Sequence, residues 1–200
     1  GGDGARFRRR YGLEGPIVGV LSTMAYDKGV MHVVEAVRAL WRKGVHIHLV
    51  LAGAILEQFR RYLDDLSAAD RNRLVVLGSV NHATKLDLLD AMDILALPSR
   101  TDSFGMVFLE AWTYAKPVIA AQAWGVRTVV DHGRDGLLVP FGDVQALMEA
   151  IQTLAENPPL RRRMGETGRA KVLRQHTWDY KYPLIRDIYS RLANEGAPTQ

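Results

Sequence analysis

The sequence predicts an α/β domain built on a doubly wound, mostly parallel sheet with helices on both faces. Three observations carry this. Short apolar runs alternate with longer stretches of helical periodicity along almost the whole chain. Each run stops at a small residue, a polar residue or a proline, as a strand does where it leaves a sheet for a loop. A chain of 200 residues, 48% apolar and 24% charged, can also build one core with helices over both sides of a sheet.

The elements follow in order. Ile17–Leu21 is a short apolar run closed by Ser22-Thr23 and reads as the first strand. From Gly29 to Arg42, Val30, Val33, Val34, Val37, Leu40 and Trp41 recur at helical spacing, with Gly44 behind them as a C-cap. Strand Ile47–Leu51 ends at Ala52-Gly53, helix Leu56–Leu66 follows, and strand Leu74–Leu77 ends at Gly78. Helix Thr84–Ala91 leads to strand Ile94–Leu97, which Pro98 stops. Helix Gly105–Ala115, strand Val118–Ala120 and strand Leu137–Val139 complete the sheet. Asp143 caps a helix reaching Glu156, Pro158-Pro159 punctuates, and two more helices close the chain. The last, Trp178–Leu192, starts behind Thr177 and carries Pro183, which predicts a kink. Its apolar residues Ile185, Ile188, Tyr189 and Leu192 form a stripe that needs a packing partner.

Composition excludes several functions. No apolar run approaches the roughly 20 residues of a membrane span, and the N-terminus has no signal-peptide pattern. The chain opens without Met and reads as part of a longer one. The absence of Cys rules out disulfides and thiolate metal sites and makes the cytoplasm the default setting. The net charge of +4 comes from scattered residues, with clusters at Arg8–Arg10 and Arg161–Arg163 but no basic stripe interleaved with aromatics. No nucleic-acid partner is therefore expected, although the clusters admit peripheral contact with an anionic membrane. His46 and His48 alternate on a strand without a third ligand at metal spacing, so no metal is expected.

The polar signals fall where an open parallel sheet binds ligands, beyond the carboxyl ends of its strands. Thr23–Gly29, Ala52-Gly53, Gly78–Val80, Ser99–Gly105 and Gln122–Gly125 each follow a predicted strand. The strongest is Asp102-Ser-Phe-Gly-Met-Val-Phe-Leu-Glu110. The helix opening at Gly105 is apolar all round and predicts burial, so Glu110 within it needs hydroxyl or cationic partners. Gly105 lets an anion approach free backbone N–H groups at the helix start. Asp102 and Ser103 stand just before it, where either also suits a helix cap. Lys28 lies at the mouth of the first helix, where it can offset diphosphate charge. No Gly-x-Gly-x-x-Gly or P-loop pattern occurs in that loop.

These residues resemble the C-terminal, donor-binding half of a retaining glycosyltransferase of GT-B architecture, in the group-1 (family 4) class. The resemblance spans nearly the whole chain. It rests on Asp102 and Glu110 around Phe104-Gly105, on Lys116-Pro-Val-Ile-Ala, on Gly133-Arg-Asp-Gly-Leu-Leu-Val, and on Ala91-Met-Asp-Ile-Leu-Ala-Leu-Pro-Ser99. It implies a linker over residues 1–16, a Rossmann-like nucleotide-sugar domain over 17–176, and a terminal helix over 177–200 that crosses to an N-terminal acceptor domain. It further implies that Glu110 holds ribose hydroxyls and that Asp102 contacts the donor sugar. Backbone N–H groups of Phe104, Gly105, Met106 and Val107 would face sugar or diphosphate. Lys28 would stabilise the leaving diphosphate, with Gly53 and Val80 close to ribose and base. The donor would be a UDP or GDP sugar, with no cofactor or metal. Four positions depart from the pattern: Asp102 replaces Glu, Thr23 replaces Arg, Trp124 interrupts a Gly-Gly pair, and Thr128 replaces Glu. Two rival readings follow from the departures and the shared fold, a non-catalytic association module and a sugar-nucleotide epimerase.

Overall fold

A computed structural model describes residues 1–195. Among them, six parallel strands form one sheet in the order β3-β2-β1-β4-β5-β6. The strands are β1 (Ile17–Leu21), β2 (His48–Ala52), β3 (Leu74–Gly78), β4 (Ile94–Leu97), β5 (Val118–Ala121) and β6 (Gly136–Val139). All residues of β1, β4 and β5 are buried, which is why these strands read as unbroken apolar runs instead of alternating ones. The helices are α1 (Gly4–Tyr11), α2 (Val30–Arg42), α3 (Glu57–Asp65), α4 (Ala68–Arg71), α5 (His82–Ala91), α6 (Met106–Thr113), α7 (Val144–Glu156), α8 (Pro158–Gln175) and α9 (Trp178–Glu195).

From β1 the chain steps outward through β2 to β3, returns to β4 beside β1, and steps the other way to β5 and β6. Right-handed crossovers then put α2 and α6 on opposite faces. Helix α7 packs on α2, while α1 packs on α5 and α8 on α6, thickening both layers.

Two elements were not announced by periodicity. Helix α4 is four residues long. Helix α1 lies within residues 1–16 and shows one wholly apolar anchor, Phe7, 3% exposed. Polar contacts do the rest: Asp3 accepts from Arg6 N–H, and Arg8 reaches Asp93 at 2.7 Å and the Ala91 carbonyl at 2.7 Å.

Helix α8 lies close on α6 because it presents glycines there. A Cβ on Gly168 would stand 2.1 Å from the Trp112 ring, and one on Gly165 would stand 1.8 Å from the Ala115 carbonyl oxygen. Trp112 cannot retreat, being fully buried with its indole N–H donating to the Asp135 carbonyl at 3.0 Å. The same corner holds a buried charge pair. Asp135 is wholly buried, and burial raises its carboxyl above the usual range despite the opposing pull of the Lys171 ammonium. Lys171 also reaches Asp131 at 2.7 Å and the Val129 carbonyl at 2.8 Å, tying α8 to the turn before β6.

Helix α9 runs through Pro183 to Glu195, and its side chains from Trp178 to Leu192 are exposed, including the predicted apolar stripe. Residues 196–200 of the expected terminal segment lie outside the described residues. No described helix is long and apolar enough to cross a membrane.

Two stability measurements test this packing. Gly168→Ala should lower stability by about 1–2 kcal/mol in urea unfolding, because the clash outweighs a gain of about 1 kcal/mol in helix propensity. A raised midpoint would refute the close contact. Lys171→Met should cost about 3–5 kcal/mol by leaving a buried carboxylate alone, and adding Asp135→Asn should recover much of the loss.

Candidate ligand-binding site

Strands β1 and β4 are registered at Val18 with Ile94 and Gly19 with Leu95, and their following loops then lead to opposite sides. The crevice so opened is where doubly wound sheets take ligands. Its floor is tight. Gly29, at φ 70°, starts α2, and a Cβ on it would stand 2.4 Å from the Pro98 carbonyl oxygen. The Arg100 N–H donates to the Asp27 carbonyl at 2.7 Å, so the loops after β1 and β4 are laced together. This brings Lys28, at the end of a single 3₁₀ turn, to Asp102, with Nζ 3.8 Å from Oδ2.

Asp102 does two things. Its Oδ1 accepts the Gly105 N–H at 2.9 Å and the Phe104 N–H at 3.3 Å, while Oδ2 faces Lys28. The capping and ligand-facing readings are therefore compatible. Gly105, at φ 73°, precedes α6, and a Cβ there would meet the buried Phe108 ring at 2.3 Å. Because the Phe104 and Gly105 N–H groups serve Asp102, the N–H groups left for an anion are those of Met106 and Val107. These open α6, where no helical acceptor precedes them.

Lys28 and Asp102 line one cavity of about 550 Å³ together with Arg100, Thr101, Ser103, Trp124 and Gly125. Two cations and one carboxylate thus share a solvent-accessible hollow at the carboxyl edge of the sheet. Arg100 and Trp124 were not singled out as site residues by spacing or type. A charged residue next to a predicted loop motif was the available signal for the first.

Glu110 stands apart from this cavity. Its carboxylate pairs with Lys85 of α5 at 2.8 Å, and its side chain is 37% exposed. The expectation of a helix buried all round fails at its outer face. Phe108, Ala111 and Trp112 are fully buried, but Met106 is 65% exposed, because the first turn of α6 borders the open edge. Gly53 marks a meeting of loops: its N–H donates to the Gly78 carbonyl at 2.8 Å, and a Cβ would stand 1.7 Å from the Ser22 carbonyl oxygen. Val80 is half-buried beyond β3, and Thr23 is exposed beyond β1. These three lie on the same edge as Lys28 and Asp102 without lining their cavity.

Two histidines near these loops are held toward their neutral form. Burial holds His32 below its ordinary pKa between the rings of Tyr26 and Phe141, with centroids at 5.4 and 5.0 Å. His176 is lowered by burial first and then by Lys181 and Lys171, and it meets the Phe104 ring edge-on at 5.7 Å. Among the described residues no three His, Asp or Glu side chains converge as a metal site would require.

Comparison with known proteins bears on the family and the fold. The family profile described as glycosyl transferases group 1 matches residues 5–171. The chain is 33% identical over 165 residues to an alpha-D-kanosaminyltransferase of Streptomyces kanamyceticus, covering 81% of this chain and 42% of that protein. It is 32% identical over 197 residues to a GDP-mannose-dependent mannosyltransferase of Mycolicibacterium smegmatis that acts on a phosphatidylinositol monomannoside, covering 93% and 51%. The chain therefore spans about half the length of these relatives. Among solved structures, sucrose-phosphate synthase of Thermosynechococcus elongatus superposes with a TM-score of 0.80 at 26% identity, over 98% of this chain and 50% of that one. The Anabaena protein Alr3699/HepE, in complex with UDP and glucose, superposes with a TM-score of 0.80 at 25% identity, over 94% and 52%. With its sheet order, its switch-point cavity and a profile match over most of its length, the chain belongs to the group 1 glycosyl transferases.

Proposed function

We propose that this domain binds a nucleotide diphosphate sugar and, with an N-terminal acceptor domain, transfers the glycosyl group with retention of configuration. The observation that carries the reading is the meeting of Lys28, Arg100 and Asp102 in one hollow beside the free N–H groups of α6. A diphosphate needs cations and backbone donors, and a sugar needs a hydrogen-bonding carboxylate. All three kinds of group stand together here.

Lys28 stabilises the charge that grows on the departing diphosphate, an electrostatic contribution that is larger in the transition state than in the bound donor. Arg100 adds the second cation that Thr23 cannot supply. The N–H groups of Met106 and Val107 complete the anion cradle with the positive end of α6. Asp102 accepts from sugar hydroxyls through the oxygen that faces Lys28. Glu110 takes the ribose hydroxyls and releases Lys85 in part, while Gly53 and Val80 border the ribose and base. A UDP or GDP donor fits the chemistry of the relatives, one of which is GDP-mannose-dependent and another of which was solved with UDP. The acceptor is held elsewhere, so the domain alone should bind donor without transferring sugar at an appreciable rate. Cytoplasmic placement and peripheral membrane contact belong to the same proposal, the latter through the exposed Arg9, Arg10, Arg162 and Arg163, since Arg8 and Arg161 are engaged with Asp93.

Calorimetric titration of the 200-residue chain with UDP, GDP and ADP tests binding and reports the base together. Absence of binding at millimolar concentration by all three would sink the proposal. Glu110→Ala should weaken the preferred nucleotide by about 10- to 100-fold, the range for hydrogen bonds to a charged acceptor. Asp102→Asn separates the second role. Its amide oxygen still accepts from Gly105, so nucleotide binding by the two-domain enzyme should persist while the rate of transfer falls at least tenfold. Equal loss of both would assign Asp102 to nucleotide binding.

A further inference from the structure

We infer that Trp124 is the residue that recognises the glycosyl group of the donor, by stacking its indole against the C–H face of a pyranose ring. The inference rests on the donor-binding reading above and extends it to a position where the family pattern has glycine.

A single exposed hydrophobe is ordinary on a protein surface and by itself means little. Trp124 differs in two respects. It is 94% exposed yet belongs to the lining of the cavity that contains Lys28, Arg100 and Asp102. It is also held out by a turn that is braced on every side. The Gln122 N–H donates to the Val139 carbonyl at 2.9 Å, and the Arg127 N–H to the Ala123 carbonyl at 3.2 Å. The Thr128 hydroxyl donates to the Gly125 carbonyl at 2.7 Å, and the Arg127 guanidinium donates to the Gln122 side chain at 3.0 Å. Ala123, Gly125 and Val126 around it are buried. A Cβ on Gly125 would stand 2.5 Å from the Asp102 carbonyl oxygen and 2.3 Å from that of Ser103, so the turn rests directly on the Asp102 loop. The backbone that carries the indole is therefore fixed relative to the Asp102 loop before a ligand arrives.

The order of groups along the sheet edge says which part of the donor it meets. The loops after β2 and β3, with Gly53, Val80 and the Lys85–Glu110 pair, lie on the nucleoside side. Lys28 and the start of α6 stand at the β1–β4 crevice, where the diphosphate belongs. Trp124 follows β5, one strand beyond, so it sits past the diphosphate on the side away from the base. A pyranose there offers hydroxyls to Asp102 and a patch of C–H groups to the indole. Aromatic faces bury such apolar area while leaving ring-edge hydroxyls free to hydrogen-bond.

The test compares each nucleotide with its sugar nucleotide on the same chain, using UDP against UDP-glucose and GDP against GDP-mannose, by calorimetry. The wild-type chain should bind one sugar nucleotide about tenfold more tightly than its bare nucleotide. Trp124→Ala should collapse that ratio toward one, and Trp124→Phe should restore most of it. If a nucleotide binds and the ratio in Trp124→Ala equals the wild-type ratio, or the wild type shows no preference, the stacking role is refuted while donor binding stands. If neither nucleotides nor sugar nucleotides bind the wild type, the donor-binding reading falls and the stacking role with it.

Discussion

Strands β1 and β4 are hydrogen-bonded neighbours that belong to oppositely progressing halves of the sheet, and the ligand edge is organised around their parting. The chain cannot fill the gap at their carboxyl ends with a crossover, because each crossover leaves in the other direction. Two loops must close it instead. They can approach because Gly29 leaves room for the Pro98 carbonyl and because Arg100 bonds to the Asp27 backbone. The juxtaposition of Lys28 with Asp102 follows from this, although the two residues lie far apart in the chain. The bracing of α6 and the seat of the Trp124 turn depend on the same Asp102 loop.

The strands were legible because parallel strands covered on both faces leave unbroken apolar runs, as in Ile17–Leu21 and Ile94–Leu97. The carboxyl edge of the sheet was legible for a related reason, since the runs ended in glycine, proline or a small or polar residue. What escaped was decided by side chains meeting across elements. Nothing in the local sequence links Lys85 of α5 to Glu110 of α6. The openness of Met106 reflects the position of α6 at the sheet edge, which its composition conceals. Helix α1 gave little warning because its docking relies on Arg8 and Asp93 rather than on an apolar stripe. Residue type identified Asp102, and only its two carboxylate oxygens, pointing to different tasks, reconciled the cap with the site.

The charge pairs of the domain differ in how firmly they are committed. Lys171 and Asp135 are locked in a dry corner, where separation leaves a stranded charge. Lys85 and Glu110 are each about one-third exposed, and a pair so placed contributes about 0–1 kcal/mol. Glu110 can therefore exchange a lysine for hydroxyls at little energetic expense. Lys28 and Asp102, 3.8 Å apart, are looser still, which leaves the Lys28 ammonium free to turn toward an incoming group while Asp102 stays held by the Gly105 N–H. The corner that holds the fold and the corner proposed to meet ligand are thus built from the same chemistry at different depths.

Helix α9 stands outside this economy of burial. Its side chains from Trp178 to Leu192 face solvent, so little of the cooperative core registers whether it is wound or unwound. Its amides should then exchange with solvent through local opening, at a free energy unrelated to that of the sheet. A domain assembled in this way has two melting regimes in one chain. The sheet and its glycine-packed helices respond as a unit to denaturant, whereas the terminal helix responds to whatever surface it is offered.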